Sequence, residues 1–501
     1  MMSINTYEKE FLETLKKISR YEQAINVMYW DMRTGAPRKG EESRAEAIGQ
    51  LSADVFQMRT SPRMKELLDA LAEQKQDLPA DTQKAVEEAK KEYDLNSKIP
   101  EEEFKEYTTL TSKAESVWEK AKKASDFSLF APYLEKIIDY KKRFISYWGY
   151  EGHPYNTLLD QYEPGVTVEK LDGLFSELRE AIVPLVQKIA ASDQKPDTGF
   201  VHERFPKERQ RDVCHFFLKE LGYDFEAGRL DETVHPFQVT ISQGDARVTT
   251  AYNENDFRSA VFGTIHECGH AIYEQNIDEA LGGTNLADGA SMGIHESQSL
   301  FYENFIGRHQ GFWKRYFEKI KEASPDQFAG VTAEGFYRAV NESKPSLIRI
   351  EADELTYPLH IMIRYEIEKA IFSGEVSVGD LPKLWNDKYE AYLGIMPPDD
   401  AKGILQDVHW SGGDFGYFPS YALGYMYAAQ LKSSMQKDFP EFDRMIENGE
   451  FEPIRKWLTE HVHIHGKRKK PLDIIKSATG EELNVRHLIR YLKEKYTTLY
   501  L

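Results

Sequence analysis

The chain has almost no cysteine. Cys214 and Cys268 are the only two in 501 residues, too few for a disulfide framework and in keeping with a reducing compartment. It has no run of about eighteen apolar residues, which argues against a membrane-spanning helix. Its opening stretch, MMSINTYEKEFLETLKK, lacks the basic segment followed by an apolar one that marks a secretory leader. The expectation is a cytoplasmic protein. An excess of positive charge is missing too: the formal net charge is -19, which leaves no cationic footprint for phosphate backbones or anionic lipid, so neither nucleic acid nor membrane is an expected partner. No internal repeat and no low-complexity segment occurs. What is present, 41% hydrophobic and 29% charged residues, describes an ordinary globular protein whose fold is set by patterning.

From 3 to about 189, helix formers dominate and apolar residues recur three and four apart, as in EFLETLKKISRYEQAINVMYW and FKEYTTLTSKAESVWEKAKKA. This predicts a stack of long helices. The breaks TGAPRKG (34–40) and PEEEF (100–104) read as turns and helix starts rather than interdomain linkers. One stretch favours strands: HPFQVTISQGDARVTTAY (235–252) predicts a hairpin turning at Gln243-Gly244-Asp245. Asn253 or Asn255 is the expected cap of the next helix, whose apolar positions Phe257, Val261, Ile265, Cys268 and Ile272 keep helical spacing. The glycine-rich LGGTNLADGASMG (281–293) has the composition of a mobile loop, and IHESQSLFYENFIGRHQGFW (294–313) predicts a second amphipathic helix. HWSGGDFGYFPSYALGYMYAAQ (409–430) reads as a glycine and aromatic loop feeding a helix. The expected fold is mainly α, one domain over 1–501, with a small antiparallel hairpin beside the helix at 257–272.

That helix carries TIHECGHAI (264–272). His266 and His270, four apart, share one face with Glu267 beside them, the HExxH pattern of a metal site. Two histidines satisfied by ordinary hydrogen bonds are the plainer alternative. A catalytic zinc needs a third protein ligand and keeps a fourth position for water. Glu274 lies eight residues past His266, about 12 Å along the axis, too far to share the ion. The metzincin pattern would need His at 276 and Gly at 273, where Asn276 and Tyr273 stand. Cys268 lies off the shared face. Glu296, on the next helix, is the leading donor, with Glu303 and Glu279 as alternatives. Zinc at such a site brings the pKa of water from ~15.7 to about 7, and Glu267 would take that proton and pass it to the leaving amine. The oxyanion formed from the attacked carbonyl needs further donors. His409, Tyr417, Tyr421 and Tyr425 are candidates, with packed aromatics as the competing reading of the tyrosines. HVHIHG (461–466) has an alternation that would suit a strand, abuts KRKKP without a carboxylate, and is expected to be structural rather than a metal site.

Six motifs occur in order: His235-Pro236-Phe237 (HPF), Asp245-Ala246-Arg247-Val248-Thr249 (DxRxT), the HExxH, His295-Glu296-Ser297-Gln298 (HES/GQ), Ile348-Arg349-Ile350-Glu351-Ala352-Asp353 (IRxxAD), and GxxQDxHW from Gly403 through Gln406, Asp407, His409 and Trp410. Together they resemble the carboxypeptidase Taq family of metallocarboxypeptidases over essentially the whole chain. The resemblance implies a mostly helical enzyme with a long substrate groove, usually homodimeric, that removes C-terminal amino acids with broad specificity and disfavours proline there. It implies that His266, His270 and Glu296 hold the metal and that Glu267 is the catalytic base. One zinc ion per chain is expected, with cobalt as the alternative. Position 300 is Leu, not the Asp of the thermolysin arrangement, so the partners of the metal histidines stay open; Asp353 is one candidate.

Cutting only the last residue requires reading a free carboxylate, for which arginine is the natural tool. Arg349 and Arg247 are the candidates, although each has acidic neighbours with which it could form a structural pair. The hairpin carrying His235 and Arg247 could pair with an extended peptide backbone. Gln298 and Tyr417 complete the expected substrate contacts, and His409 and Tyr421 the expected catalytic donors. The first 200 residues are expected to roof the groove and 201–501 to form the catalytic part. Two rivals remain: a zinc endo- or oligopeptidase on the same scaffold, and a catalytically silent helical protein with structural zinc. The latter would normally close its site with four protein ligands, and three are visible.

Overall fold

Helices follow one another through the first third of the chain: Ile4–Thr34, Glu41–Thr60, Pro62–Glu73, Ala80–Ser97, Glu101–Ala124 and Ala131–Trp148. The structure is a computed structural model and describes residues 3–501. The stops and starts have local causes. Gly35 and Pro37 end the first helix, Pro62 opens the third with Ser61 accepting from the Met64 amide, and Glu101, Glu102 and Glu103 place negative charge at the positive end of the fifth. Phe11, Leu15 and Ile18 bury one stripe of the first helix, as their spacing predicts. Among the described residues no helix is long and apolar enough to cross a membrane.

The hairpin is present, within a sheet of three strands: β1 (Leu230–Glu232), β2 (Gln238–Ser242) and β3 (Asp245–Thr250), in the order β1-β3-β2. β2 and β3 run antiparallel, with Gln238 opposite Val248 and Thr240 opposite Ala246. Gly244 turns the chain at φ 79°, in the left-handed region that glycine tolerates. β1 pairs parallel to β3, making the sheet mixed. Its three residues are Leu-Asp-Glu, too short and too polar to announce a strand.

The HExxH motif lies on the helix Arg258–Gln275. Its start differs from expectation. Asn253 closes a preceding turn by accepting from the Asn255 amide, and the side chain of Asp256 meets the Arg258 amide at 3.1 Å. The second predicted helix divides into an α segment, Met292–Leu300, a π segment, Phe301–Gly307, and a new helix, Gln310–Ala323. In the π segment the Arg308 amide reaches back five residues to Glu303 O, 2.8 Å, and His309 caps the next helix. The 281–293 loop, read as mobile from its glycines, is tied at several points: the Ala290 amide donates to Tyr273 Oη, Asn285 to Ala85 O, and the Lys467 amide to Leu286 O. The 461–466 tract ends one helix and begins the 3-10 turn His463–Arg468; it forms no strand.

Two glycines set how closely the central helices approach. A Cβ on Gly269 would stand 2.7 Å from Ser299 Cα, and one on Gly424 would stand 2.8 Å from Glu296 Cβ. The helix Met292–Leu300 is thus pressed between Arg258–Gln275 and Pro419–Asp438, the latter buried on nearly every face. Beside them runs a groove of about 1740 Å³. One wall includes Lys16, Asn26, Phe104 and Lys141 from the N-terminal helices, the other Phe237 and Tyr421. Asn26 donates to Thr240 O of β2 at 3.0 Å, fastening the first helix against the sheet.

Candidate metal centre

The helix places the rings of His266 and His270 one turn apart, centroids 5.0 Å from each other. Each ring has its Nδ1 engaged elsewhere. His266 Nδ1 meets Glu303 Oε2 at 2.9 Å, and Glu303 Oε1 accepts from Arg308 Nη2 at 2.9 Å. His270 Nδ1 meets His295 Nδ1 at 2.6 Å, and His295 Nε2 meets Glu274 Oε1 at 2.8 Å. Both Nε2 atoms are left to face Glu296, whose Oε2 lies 3.7 Å from that of His266 and 3.5 Å from that of His270. Donor atoms about 2.1 Å from one tetrahedral ion stand about 3.4 Å from each other, so this triangle fits a single ion. His266, His270 and Glu296 are the one such group among the described residues. Two imidazoles and a carboxylate, with their outer ring atoms fixed by hydrogen bonds, form a donor set suited to zinc.

The charge balance also calls for a cation. Burial works to neutralise His266, yet the carboxylates of Glu296, Glu303 and Glu267 overcome it and hold the imidazole up at about 10. His270, where burial dominates, is pushed down to about 4. Glu267, 8% exposed, is raised by burial to about 7. Burial raises Glu296 as well, but His266 and His270 hold its carboxyl below the usual value. The carboxylates of Glu296, Glu303 and Glu267 thus favour positive charge at this point of the cluster.

The structure replaces several expected roles. Asp353 touches neither metal histidine; it accepts from Ser343 Oγ and Thr356 Oγ1, each at 2.8 Å. Glu303, an alternative ligand in the sequence, supports His266 instead, and Glu279 is exposed. Tyr425 is turned away, its hydroxyl donating to Glu354 at 2.6 Å.

Family comparison settles what kind of protein carries this site. Residues 10–496 match the model of Carboxypeptidase Taq (M32) metallopeptidase. The chain belongs to that family. It is 69% identical over 500 residues to carboxypeptidase 1 of Bacillus subtilis, spanning 100% of both chains. It is 41% identical over 482 residues to thermostable carboxypeptidase 1 of Thermus thermophilus, 94% of each. It superposes on the crystal structure of the M32 carboxypeptidase from Deinococcus radiodurans R1 with a TM-score of 0.96, at 36% identity and covering 99% of each chain. The protein is thus a metallocarboxypeptidase.

In this carboxypeptidase Tyr417 and Tyr421 line the groove, their rings 5.2 Å apart. His409 packs on Tyr417 and Phe418, and burial pushes it down to about 4, so it is neutral. Arg349 is buried; its Nε and Nη2 both lie 2.9 Å from Asp407 Oδ1, with its guanidinium 5.1 Å from the Tyr421 ring. Arg247 makes two 2.7 Å bonds to Asp245 and lies over Trp30. His235 is exposed, next to Pro236 and Phe237 in the groove wall. Gln298 is fully buried, bonded to Ser297 Oγ and to His463 Nε2, which gives the histidine tract its structural place; His461 stacks on Trp457.

Glu163 is a residue that no sequence pattern marks. It is 1% exposed and takes three donors around the start of the helix Met292–Leu300: Ser291 Oγ at 2.9 Å, the Gly293 amide at 2.8 Å and Tyr427 Oη at 2.8 Å. A glutamate 133 positions before Glu296 carries no motif that links the two.

Proposed function

We propose that the carboxypeptidase releases C-terminal residues from peptides one at a time, with Glu267 as the general base beside a metal held by His266, His270 and Glu296. The observation that carries this reading is the triangle of Nε2, Nε2 and Oε2 atoms opening onto a groove. Zinc is the ion this donor set favours, with cobalt as an alternative; when bound, it supplies a Lewis acid that makes a water proton easier to lose at neutral pH. Glu267, in the groove wall, accepts that proton and returns it to the leaving amine. Tyr421 and neutral His409 are the proposed donors to the carbonyl oxygen as charge develops on it.

Arg349, beside Tyr421, is the proposed reader of the terminal carboxylate, and Arg247 its counterpart on the hairpin side. β2 is an edge strand, and its Gln238, Thr240, Ile241 and Ser242 line the groove. A peptide aligned along that edge is held through its backbone, which supports broad specificity. A terminal proline lacks the amide proton and fixes φ, so it is a poor last residue.

The test is a time course of products, by mass spectrometry, from one peptide with a free and with an amidated C-terminus, with and without chelator. The expected result is a ladder of single C-terminal losses abolished by chelator and by amidation. Internal fragments that survive amidation would transfer the same metal chemistry to an endopeptidase.

A further inference from the structure

Most cations of the groove wall are paired. Arg59 bonds Glu22 and Glu92, Lys91 meets Asp160 at 2.6 Å and Lys467 meets Asp288 at 2.5 Å. Lys16 and Lys470 are exposed, and Lys469 bonds His465 and Ser477. Lys141 differs. It stands on the helix Ala131–Trp148 and lines the groove, as do Phe104, Tyr107, Phe144 and Tyr162. It is half-buried, has no hydrogen bond and no carboxylate within 4.0 Å among the described residues, and lies 5.4 Å from the centre of the Tyr107 ring. An ammonium taken partly out of water with only a ring face beside it is held less favourably than one paired with a carboxylate. Burial accordingly pulls Lys141 down to about 8, with Asp414 opposing from a distance.

Its position relative to the metal donors is marked by aromatic rings. Tyr421 contacts Tyr417 at 5.2 Å, and Tyr417 contacts Tyr162 at 5.1 Å. An extended peptide advances about 3.3–3.6 Å per residue. Lys141 and Tyr162 both act on Asp414, so a peptide running past Tyr417 and Tyr162 meets Lys141 on the order of three residues from the scissile bond. The terminal carboxylate ends one residue past that bond, which places it elsewhere. We propose that Lys141 is the cation of a subsite that receives the side-chain carboxylate of an aspartate or glutamate in the bound peptide, upstream of the cut. This rests on the groove being the peptide channel, as argued above.

The groups facing Lys141 are Asp414 from the loop after His409, Tyr107 from the helix Glu101–Ala124 and Tyr162 from the helix Asn156–Tyr162. Both phenols are pushed far above their ordinary value by burial and stay neutral. Burial also raises Asp414. Lys141 is thus the group among them that changes charge near pH 8, and the preference for an acidic residue should fade as pH rises past that value.

The experiment uses the metal-loaded full chain and peptides with a single Glu or Gln at each of the second to fifth positions from the C-terminus. The readout is the ratio of kcat/KM for Glu against Gln at pH 7 and pH 9.5, in the wild type, Lys141→Met and Lys141→Arg. At one interior position the wild type is expected to prefer Glu by roughly tenfold at pH 7, the value for a charge-assisted hydrogen bond, and much less at pH 9.5. Lys141→Met should bring the ratio to near one, while Lys141→Arg should keep it at both pH values. An unchanged ratio in Lys141→Met, or one uniform loss for every peptide, would overturn the assignment while leaving the peptidase reading intact. Absence of any stepwise C-terminal ladder in the wild type would remove both.

Discussion

His266 and His270 receive unequal support. His266 is backed directly by the Glu303 carboxylate and through it by Arg308, whereas His270 is backed by a neutral-sized ring, His295, which passes the influence of Glu274. With both Nε2 atoms given to the ion, each Nδ1 carries a proton and donates, so His295 Nδ1 accepts and its Nε2–H donates to Glu274. Glu303→Ala is expected to weaken metal affinity roughly 10–100-fold, the usual effect of removing the group behind a ligating imidazole, measured by competition with a chromophoric chelator. As the proposed base, Glu267 is expected to set the acid limb. Burial lifts it to about 7, and positive charge of a bound ion favours its carboxylate. As pH falls through its pKa Glu267 gains a proton and can no longer accept one from water. The acid limb of kcat/KM should therefore lie between the ordinary carboxylate range and about 7. A limb above pH 7 would contradict Glu267 as the base in this setting.

At the scale of elements, the site depends on the helix Met292–Leu300 lying flush against Arg258–Gln275. Gly269, inside the HExxH, makes that approach possible, because a Cβ there would stand 2.7 Å from Ser299 Cα. Gly269→Ala is expected to destabilise the fold by roughly 1–3 kcal/mol, the range for overpacking, and to weaken metal binding as Glu296 is pushed from the histidines. Denaturant unfolding and metal titration together check it. The sequence made parts of this readable. Histidines four apart announce a shared helical face whatever surrounds them, and the hairpin is written in β-branched residues around a turn. The π segment was not readable, since 294–313 keeps a helical apolar rhythm, and it is the register of that segment that brings Glu303 to His266. His295 and Glu163 act across distances in sequence that no local pattern spans. Asp353 was a misplaced expectation for the same reason: proximity among motifs does not give proximity in space.

For the molecule as a whole, the N-terminal helices and residues from 236–471 line one groove. The acidic net charge does not make that groove wall uniformly negative, because Arg59, Lys91 and Lys467 alternate there with their acidic partners. The proposed division of labour gives the chemistry to Glu267 and the ion to His266, His270 and Glu296. Its most direct test is metal content and turnover measured on the same samples of wild type, Glu267→Gln and His266→Ala. Glu267→Gln is expected to keep about one ion per chain and to lose roughly 10²–10⁴-fold in kcat, and His266→Ala to lose both ion and activity. A Glu267→Gln enzyme that retains its metal and still turns over at the wild-type rate would contradict it.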